Sequence, residues 1–322
     1  LQRLRTAKYE SNWLIAHDSY AFTAIKTLVD NTASPTLAQA LAQAHTLGLQ
    51  RIDAQLLLLH AVGRPDAGRA WLLAHDTDAL DETTHTQFIA LCQRRVAGEP
   101  VAYLTGRKEF YGLPLQVDAR VLDPRPDTET LVDWALEVIA PLTSPRVVDL
   151  GTGSGAIALA LQSQRTDARV LAVDASADAL AVAQANAERL GLPVQFRQAN
   201  WLVGVEGPFD AIVSNPPYIA SADPHLAALT HEPLQALASG ADGLEDIRAI
   251  VAQAPAHLRP GGWLLLEHGY DQADAVQALL AAQGFVRVQS RNDLADIARC
   301  TGGQWPTTVS YTHLRAHETS LH

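Results

Sequence analysis

The sequence predicts an α/β protein in which a small bundle of helices precedes a parallel sheet covered by helices on both faces. Three observations predict it. From Leu37 to about Arg95 apolar residues recur at helical spacing, as in Leu37, Leu41, Ala44 and then Ile52, Leu56, Leu59. From Arg146 onward short β-type runs alternate with helical stretches, the pattern of a parallel sheet with crossover helices. Between them, Gly98-Glu99-Pro100 ends one pattern before the other begins.

In chain order, residues 1–34 carry mixed polarity and no usable motif, and are set aside as a non-native or unassigned extension. Ser34-Pro35-Thr36 reads as a helix start with the proline just inside the cap. Residues 35–100 then read as four or five short helices, punctuated by Gly48, by Gly63-Arg64-Pro65 and by the stretch from Asp76 to Asp81. Residues 101–125 are rich in Tyr, Phe, Val and Leu, with Gly106, Gly112 and Pro114 as breakers, and predict a β-hairpin linking two domains. Asp127 or Thr128 can cap the following helix, which runs through Leu131, Ala135 and Val138. Within residues 126–308 the candidate strands are Arg146–Leu150, Arg169–Val173, Val194–Gln198, Asp210–Ser214, Trp263–Glu267 and Phe285–Ser290. Ala156–Gln164 and Ala177–Leu190 are helical stretches between them. Val309–Thr319 reads as a translated sequencing adapter, so residues 309–322 are set aside as a tail.

Composition narrows the function classes. Of 322 residues, 48% are hydrophobic and 18% charged, the profile of a globular chain with a sizeable core. The net charge of -11 argues against a protein that grips duplex nucleic acid through its phosphates, which calls for a basic face. Cys92 and Cys300 stand far apart, so neither a disulfide framework nor a metal spacing is legible; two reduced thiols in a cytoplasmic protein are expected. His45, His60, His75 and His85 lack partners at ligand spacing, and no metal site is expected. No uncharged apolar run of about 18 residues is present, so no membrane span is expected.

The chemistry is carried by two segments. Val147–Leu150 runs into Gly151-Thr152-Gly153-Ser154-Gly155 at the opening of a helix. Glycines there let the backbone turn tightly and approach a ligand, and a helix start offers free N–H groups to an anion. Asp174 ends the next strand, 19 residues after Gly155, where a carboxylate can accept hydrogen bonds from both ribose hydroxyls of a nucleoside. Loop and acid fit either a nicotinamide cofactor or a sulfonium donor; Asp149 before the glycines favours the second. The second segment, Asn215-Pro216-Pro217-Tyr218, follows the strand Asp210–Ser214 at its carboxyl end, on the ligand crevice of an open parallel sheet. A planar amide or aniline-like nitrogen is a poor nucleophile because its lone pair is delocalised. The Asn215 side-chain oxygen and the Pro216 carbonyl can hold its two N–H bonds and aim it at a methyl group, so catalysis is mostly positioning and electrostatics. Tyr218 offers an aromatic face to a flat group and to a cationic sulfonium.

With these residues stated, the chain resembles the PrmC/HemK family of peptide chain release factor N5-glutamine methyltransferases, over about Leu37 to Gly303. The marks are Glu109–Leu115 (EFYGLPL), Pro124–Glu129 (PRPDTE), the Gly151–Gly155 loop, Asn215–Tyr218 (NPPY) and Leu266–Gly269 (LEHG). The resemblance implies a Rossmann-like, seven-stranded class I methyltransferase domain with a small N-terminal helical domain that helps recognise the partner. It implies methylation of the glutamine side-chain amide in the Gly-Gly-Gln motif of class I release factors, with S-adenosylmethionine as donor, in a cytoplasmic monomer. Carried over residue by residue, it assigns cofactor contacts to Gly151, Thr152, Gly153, Ser154, Gly155, Asp174, Trp201 and Asn215. It assigns the glutamine to Asn215, Pro216, Pro217 and Tyr218, with Asn215, Pro216 and Tyr218 as the catalytic set. Position 200 is Asn where the family usually has Asp, and can still accept one hydrogen bond. The last strand, around Cys300–Gly303, runs toward the tail and is expected to be incomplete. Gly302-Gly303-Gln304 spells the implied substrate tripeptide, and reads as the frayed end of that strand.

Glu267-His268 reads as polar residues capping a strand, since methyl transfer from a sulfonium needs no strong base. Arg125 and Glu129, four apart, could pair with each other or face the partner. Two readings compete with the implied function: an adenine or other amino-methyltransferase acting on nucleic acid, and a non-catalytic nucleotide-binding protein on the same fold. A dehydrogenase is more distant still.

Overall fold

The computed structural model describes residues 34–307; the set-aside extension 1–34, apart from Ser34, and the set-aside tail 309–322 lie outside it. The chain divides into two compact units that part between Ala97 and Gly98.

Among the described residues the first unit contains four helices, α1 (Leu37–Thr46), α2 (Arg51–Ala61), α3 (Arg69–Ala74) and α4 (Glu82–Val96). Thr36, rather than Ser34, caps α1: its hydroxyl accepts from Gln39 N–H while the Gln39 side chain accepts from Thr36 N–H, so Pro35 lies outside the cap. Asp81 caps α4 through Thr84 N–H at 2.9 Å. Leu57, Leu58, Phe88 and Cys92 are fully buried; of the apolar residues read at helical spacing Leu37, Ala44 and Leu59 are buried, whereas Ile52 and Leu56 are exposed, so α2 buries a different face from the one that spacing suggested. None of the described helices is long and apolar enough to cross a membrane.

The second unit begins with a short helix that the sequence reading missed. Val101–Thr105 (α5) is helical, ended by Gly106 at φ 67°, and only then does the hairpin β1 (Arg107–Phe110) and β2 (Leu113–Gln116) follow. Pro100 sits at the N-cap, and one and a half turns bury Ala102 and Leu104. Burial overrode the β-type composition. A 3₁₀ turn (Pro126–Thr128) leads into α6 (Glu129–Ile139), with Thr128 at the N-cap position but making no capping bond there.

Among the described residues the central sheet has seven strands: β3 (Arg146–Leu150), β4 (Arg169–Asp174), β5 (Gln195–Gln198), β6 (Phe209–Ser214), β7 (Leu258–Glu267), β8 (Val286–Asn292) and β9 (Ala298–Gln304). Their spatial order is β5-β4-β3-β6-β7-β9-β8, and every pairing is parallel except those of β9. Alternate residues feed opposite faces. Val147 and Leu265 pack with α6, α7 (Ala156–Gln164) and α8 (Ala177–Leu190); Val148, Leu264 and Leu266 pack with α9 (Glu245–Gln253) and α10 (Ala273–Gln283). The chain moves outward through β3, β4 and β5, then returns beside β3 as β6. That reversal opens a crevice at the carboxyl ends of β3 and β6.

The Cys300–Gly303 segment is a complete interior strand, correcting the expectation of a frayed one. Gly302 pairs with Leu265 of β7 and with Gln289 of β8. A Cβ on Gly302 would lie 2.5 Å from Leu265 Cδ2, 2.9 Å from Trp134 and 3.0 Å from the Leu264 carbonyl oxygen. Gly302→Ala is therefore expected to destabilise the protein by about 3 kcal/mol through overpacking, read from urea or thermal unfolding.

Candidate active site

The glycine loop forms because three of its residues need a backbone that only glycine adopts freely. Gly151, Gly153 and Gly155 have φ of 68°, 56° and 86°. Their surroundings separate their roles. Gly151 faces the Trp201 ring, which a Cβ would approach to 3.3 Å, while a Cβ at Gly155 would meet Leu159 at 3.0 Å and Ala183 at 3.2 Å. Gly151 thus leaves room beside an aromatic ring, and Gly155 lets α7 pack on α8. Thr152 and Ser154 are buried: the Thr152 hydroxyl donates to Asp149 Oδ2 at 2.6 Å, and the Ser154 carbonyl accepts from Asn186. They shape the loop from behind. Asp149 is fully buried, which raises its carboxyl to about 7 against the pull of that Thr152 bond.

Asp174, at the carboxyl end of β4, is half-buried and does not cap α8; Ser176 does so through Ala179 N–H. The Asp174 oxygens accept one backbone N–H each, Oδ2 from Gly153 and Oδ1 from Ser176, both at 2.9 Å. A carboxylate oxygen can accept more than one bond, so both retain capacity for a diol. Trp201 holds φ 52°, uncommon for a bulky residue. Gly151, Gly153, Asp174, Asn200, Trp201, Asn215 and Pro217 line one cleft.

β6 delivers Asn215 to that cleft. All six of its residues are buried, and the Ser214 hydroxyl donates to the Leu150 carbonyl at 2.7 Å, tying the end of β6 to β3. Asn215 Nδ2 donates to the Thr128 hydroxyl at 3.3 Å. Among the described residues the Asn215 side-chain oxygen and the Pro216 carbonyl accept no hydrogen bond. Two unused acceptors thus stand next to each other in the chain, beside the cleft. The Tyr218 carbonyl accepts from Gln272 Nε2 at 3.0 Å, and burial pushes the Tyr218 hydroxyl above its usual range. Gly243, at φ 75°, lies directly against that carbonyl: a Cβ there would overlap Tyr218 O and sit 2.8 Å from Gln272 Nε2.

Two functional features were not legible in sequence. Thr128, read as a helix cap, instead meets Asn215 across 87 residues of chain. Glu267, read as a strand cap, is 1% exposed, and its Oε2 has no hydrogen-bond partner among the described residues. Burial raises its carboxyl to about 7, while the nearby Thr128 hydroxyl and Asn215 amide pull it down. His268 does behave structurally. It is buried, its Nδ1 faces the Gly269 carbonyl at 2.8 Å and its Nε2 the Thr301 hydroxyl at 2.7 Å; since a carbonyl only accepts, Nδ1 carries the proton. Arg125 and Glu129 do not pair. Arg125 reaches Asp123 at 3.3 Å and Glu232 at 2.6 Å, and the Glu129 carboxylate accepts from Tyr111 N–H. Arg299 instead joins the PRPDTE segment to the β8–β9 turn, 3.5 Å from Asp127 and 2.9 Å from Asp293. Cys92 and Cys300 are free and buried. No metal-binding cluster occurs among the described residues.

Comparison with known proteins adds kinship to this geometry. The methyltransferase small domain family profile matches residues 128–242, and the PrmC N-terminal domain profile matches residues 36–106. A release factor glutamine methyltransferase of Burkholderia pseudomallei is 48% identical over 286 residues, covering 86% of this chain and 99% of the relative. One of Xylella fastidiosa is 50% identical over 271 residues, covering 83% and 98%. Among solved structures, the hMettl16 catalytic domain in complex with a MAT2A 3'UTR hairpin superposes with a TM-score of 0.51 at 15% identity, over 74% of this chain and 85% of that one, a likeness of fold alone.

Proposed function

The chain belongs to the release factor glutamine methyltransferase family, and we propose that it methylates the side-chain amide nitrogen of the glutamine in the Gly-Gly-Gln motif of class I release factors. S-adenosylmethionine supplies the methyl group. The residues of the cleft suit that donor: Gly151 and Gly153 present bare backbone, and Asp174 keeps acceptor capacity for two ribose hydroxyls. The Trp201 ring beside Gly151 offers a flat face for an adenine.

The observation that carries the reading is the pair of unused acceptors at the end of β6. A primary amide has two N–H bonds, and Asn215 Oδ1 and the Pro216 carbonyl match them in number and kind. Holding both turns the nitrogen toward the donor and strips its water, so the barrier falls by orientation rather than by proton abstraction. The attacked nitrogen sheds its proton after the methyl is in place. Tyr218, with its carbonyl fixed by Gln272, supplies an aromatic face for the flat amide group. The helical unit over 35–100 assists recognition of the release factor, and the chain acts as a cytoplasmic monomer. The net charge of -11 weighs against the nucleic-acid alternative.

Mass spectrometry of a class I release factor incubated with the protein and S-adenosylmethionine tests this. One added methyl on the glutamine of the Gly-Gly-Gln loop is expected. An unmodified release factor alongside a methylated nucleic acid would overturn it.

A further inference from the structure

We propose that Thr128 and Glu267 are positioning residues that lock the Asn215 amide with its oxygen turned toward the substrate. The inference rests on the methyl-transfer reading above and extends it to two residues outside the Asn215–Tyr218 segment.

An asparagine amide can sit in either of two orientations, and only its hydrogen-bond partners decide which. If the Asn215 oxygen turned inward, its NH2 group would face the substrate amide, donor against donor. The inward side is therefore decisive. There Nδ2 donates to the Thr128 hydroxyl at 3.3 Å, and Glu267 follows Leu266, the β7 partner of Ser214, so Asn215 and Glu267 leave adjacent strands in register; both Thr128 and Asn215 draw the Glu267 carboxyl down. An ionised carboxylate only accepts. Ionised, it can accept from the Thr128 hydroxyl or the Asn215 NH2 group, and either bond would exclude the flipped amide. Glu267 is 1% exposed and its Oε2 has no hydrogen-bond partner among the described residues. A buried acid with one idle oxygen costs stability. Its position against the one amide the reaction depends on gives that cost a function.

The device depends on charge. Protonated, Glu267 gains an O–H that can donate to the Asn215 oxygen and favour the flipped amide. The charged and titratable groups facing it are Asp127 from the 3₁₀ turn, Arg299 and Cys300 from β9, and Tyr218 after β6. Burial, aided by Asp127, holds the carboxyl up to about 7, against Thr128, Arg299 and Asn215. The carboxyl is neutral below that value and ionised above it, so kcat rises with pH through about 7 and then levels.

Three full-length proteins test this, each assayed for kcat and KM toward the release factor from pH 6 to 9, and for S-adenosylmethionine affinity. Wild type is expected to gain about fivefold in kcat across the range. Glu267→Gln, a neutral isostere able to donate, is expected to stay at the low-pH rate throughout. Thr128→Val, which keeps the shape but not the hydroxyl, is expected to lose about tenfold in kcat with KM and cofactor affinity within about twofold. A merely structural role would move stability and leave the pH profile of kcat unchanged. Wild-type rates and profile in both variants would overturn the positioning role alone. A wild-type chain that leaves the release factor unmethylated would overturn the functional reading, and this inference with it.

Discussion

Asn215→Ala is expected to lower kcat by roughly 10³-fold while S-adenosylmethionine affinity falls by less than about tenfold. The asymmetry follows from what the side chain does. Of the two acceptors at the end of β6, the Pro216 carbonyl belongs to the backbone and survives substitution. The Asn215 oxygen does not, and without it one N–H of the substrate amide has no partner and the nitrogen is free to rotate. The donor keeps the glycine loop, Asp174 and the Trp201 wall, so its binding changes little. Initial rates of labelled methyl incorporation, with cofactor titration on the same preparation, separate the two quantities. A loss confined to cofactor affinity, with kcat at saturation intact, would mean that Asn215 serves the donor and not the acceptor.

Gly243→Ala is expected to lower kcat by about 10²-fold, although Gly243 belongs to no motif. Its φ of 75° already disfavours any side chain, and a Cβ would overlap the Tyr218 carbonyl oxygen while crowding Gln272 Nε2. Something must move, and the Tyr218 carbonyl is held by that same Gln272 amide. The displacement passes into the Asn215–Tyr218 turn, where an error of about 1 Å costs on the order of 10² in rate. Gly191→Ala is the control. It has a similar φ of 66°, with nothing within 4 Å of the added Cβ, so it should cost about 1 kcal/mol of stability and leave kcat unchanged. Equal kcat in the two variants would remove Gly243 from the active-site framework.

Much of this was readable in the sequence, and what was not has a common cause. Repeated strand and helix signals located the sheet closely: Arg146–Leu150 and Asp210–Ser214 were anticipated to within a residue, because buried strands are continuous apolar runs closed by polar punctuation. The glycine loop was legible because positive φ leaves a direct trace in residue type. Val101–Thr105 was misread because its Val and Tyr suggest a strand, while a short helix ended by Gly106 decided the outcome. The remaining differences concern polar side chains whose partners lie far along the chain. Thr128 serves Asn215, Arg125 serves Glu232, and Arg299 serves Asp127 and Asp293. Spacing along one helix can suggest Arg125 with Glu129, but it carries no information about a carboxylate 107 residues away. Glu267 lay in plain view at a strand end; its burial was visible only once α6 and β9 closed around it.

The place of β9 bears on how the chain can be made. A ribosome releases β7 and β8 before Ala298–Gln304, the strand that must lie between them. Until those seven residues emerge, that edge of β7 has no neighbour and offers its backbone groups to any passing strand. Nearly every residue assigned to chemistry has been synthesised by then, yet the sheet that holds Glu267 at its post is still open. The order of manufacture and the order in space disagree at this one position. The scaffold therefore closes by insertion of a later strand between two earlier ones, not by stepwise addition at its rim.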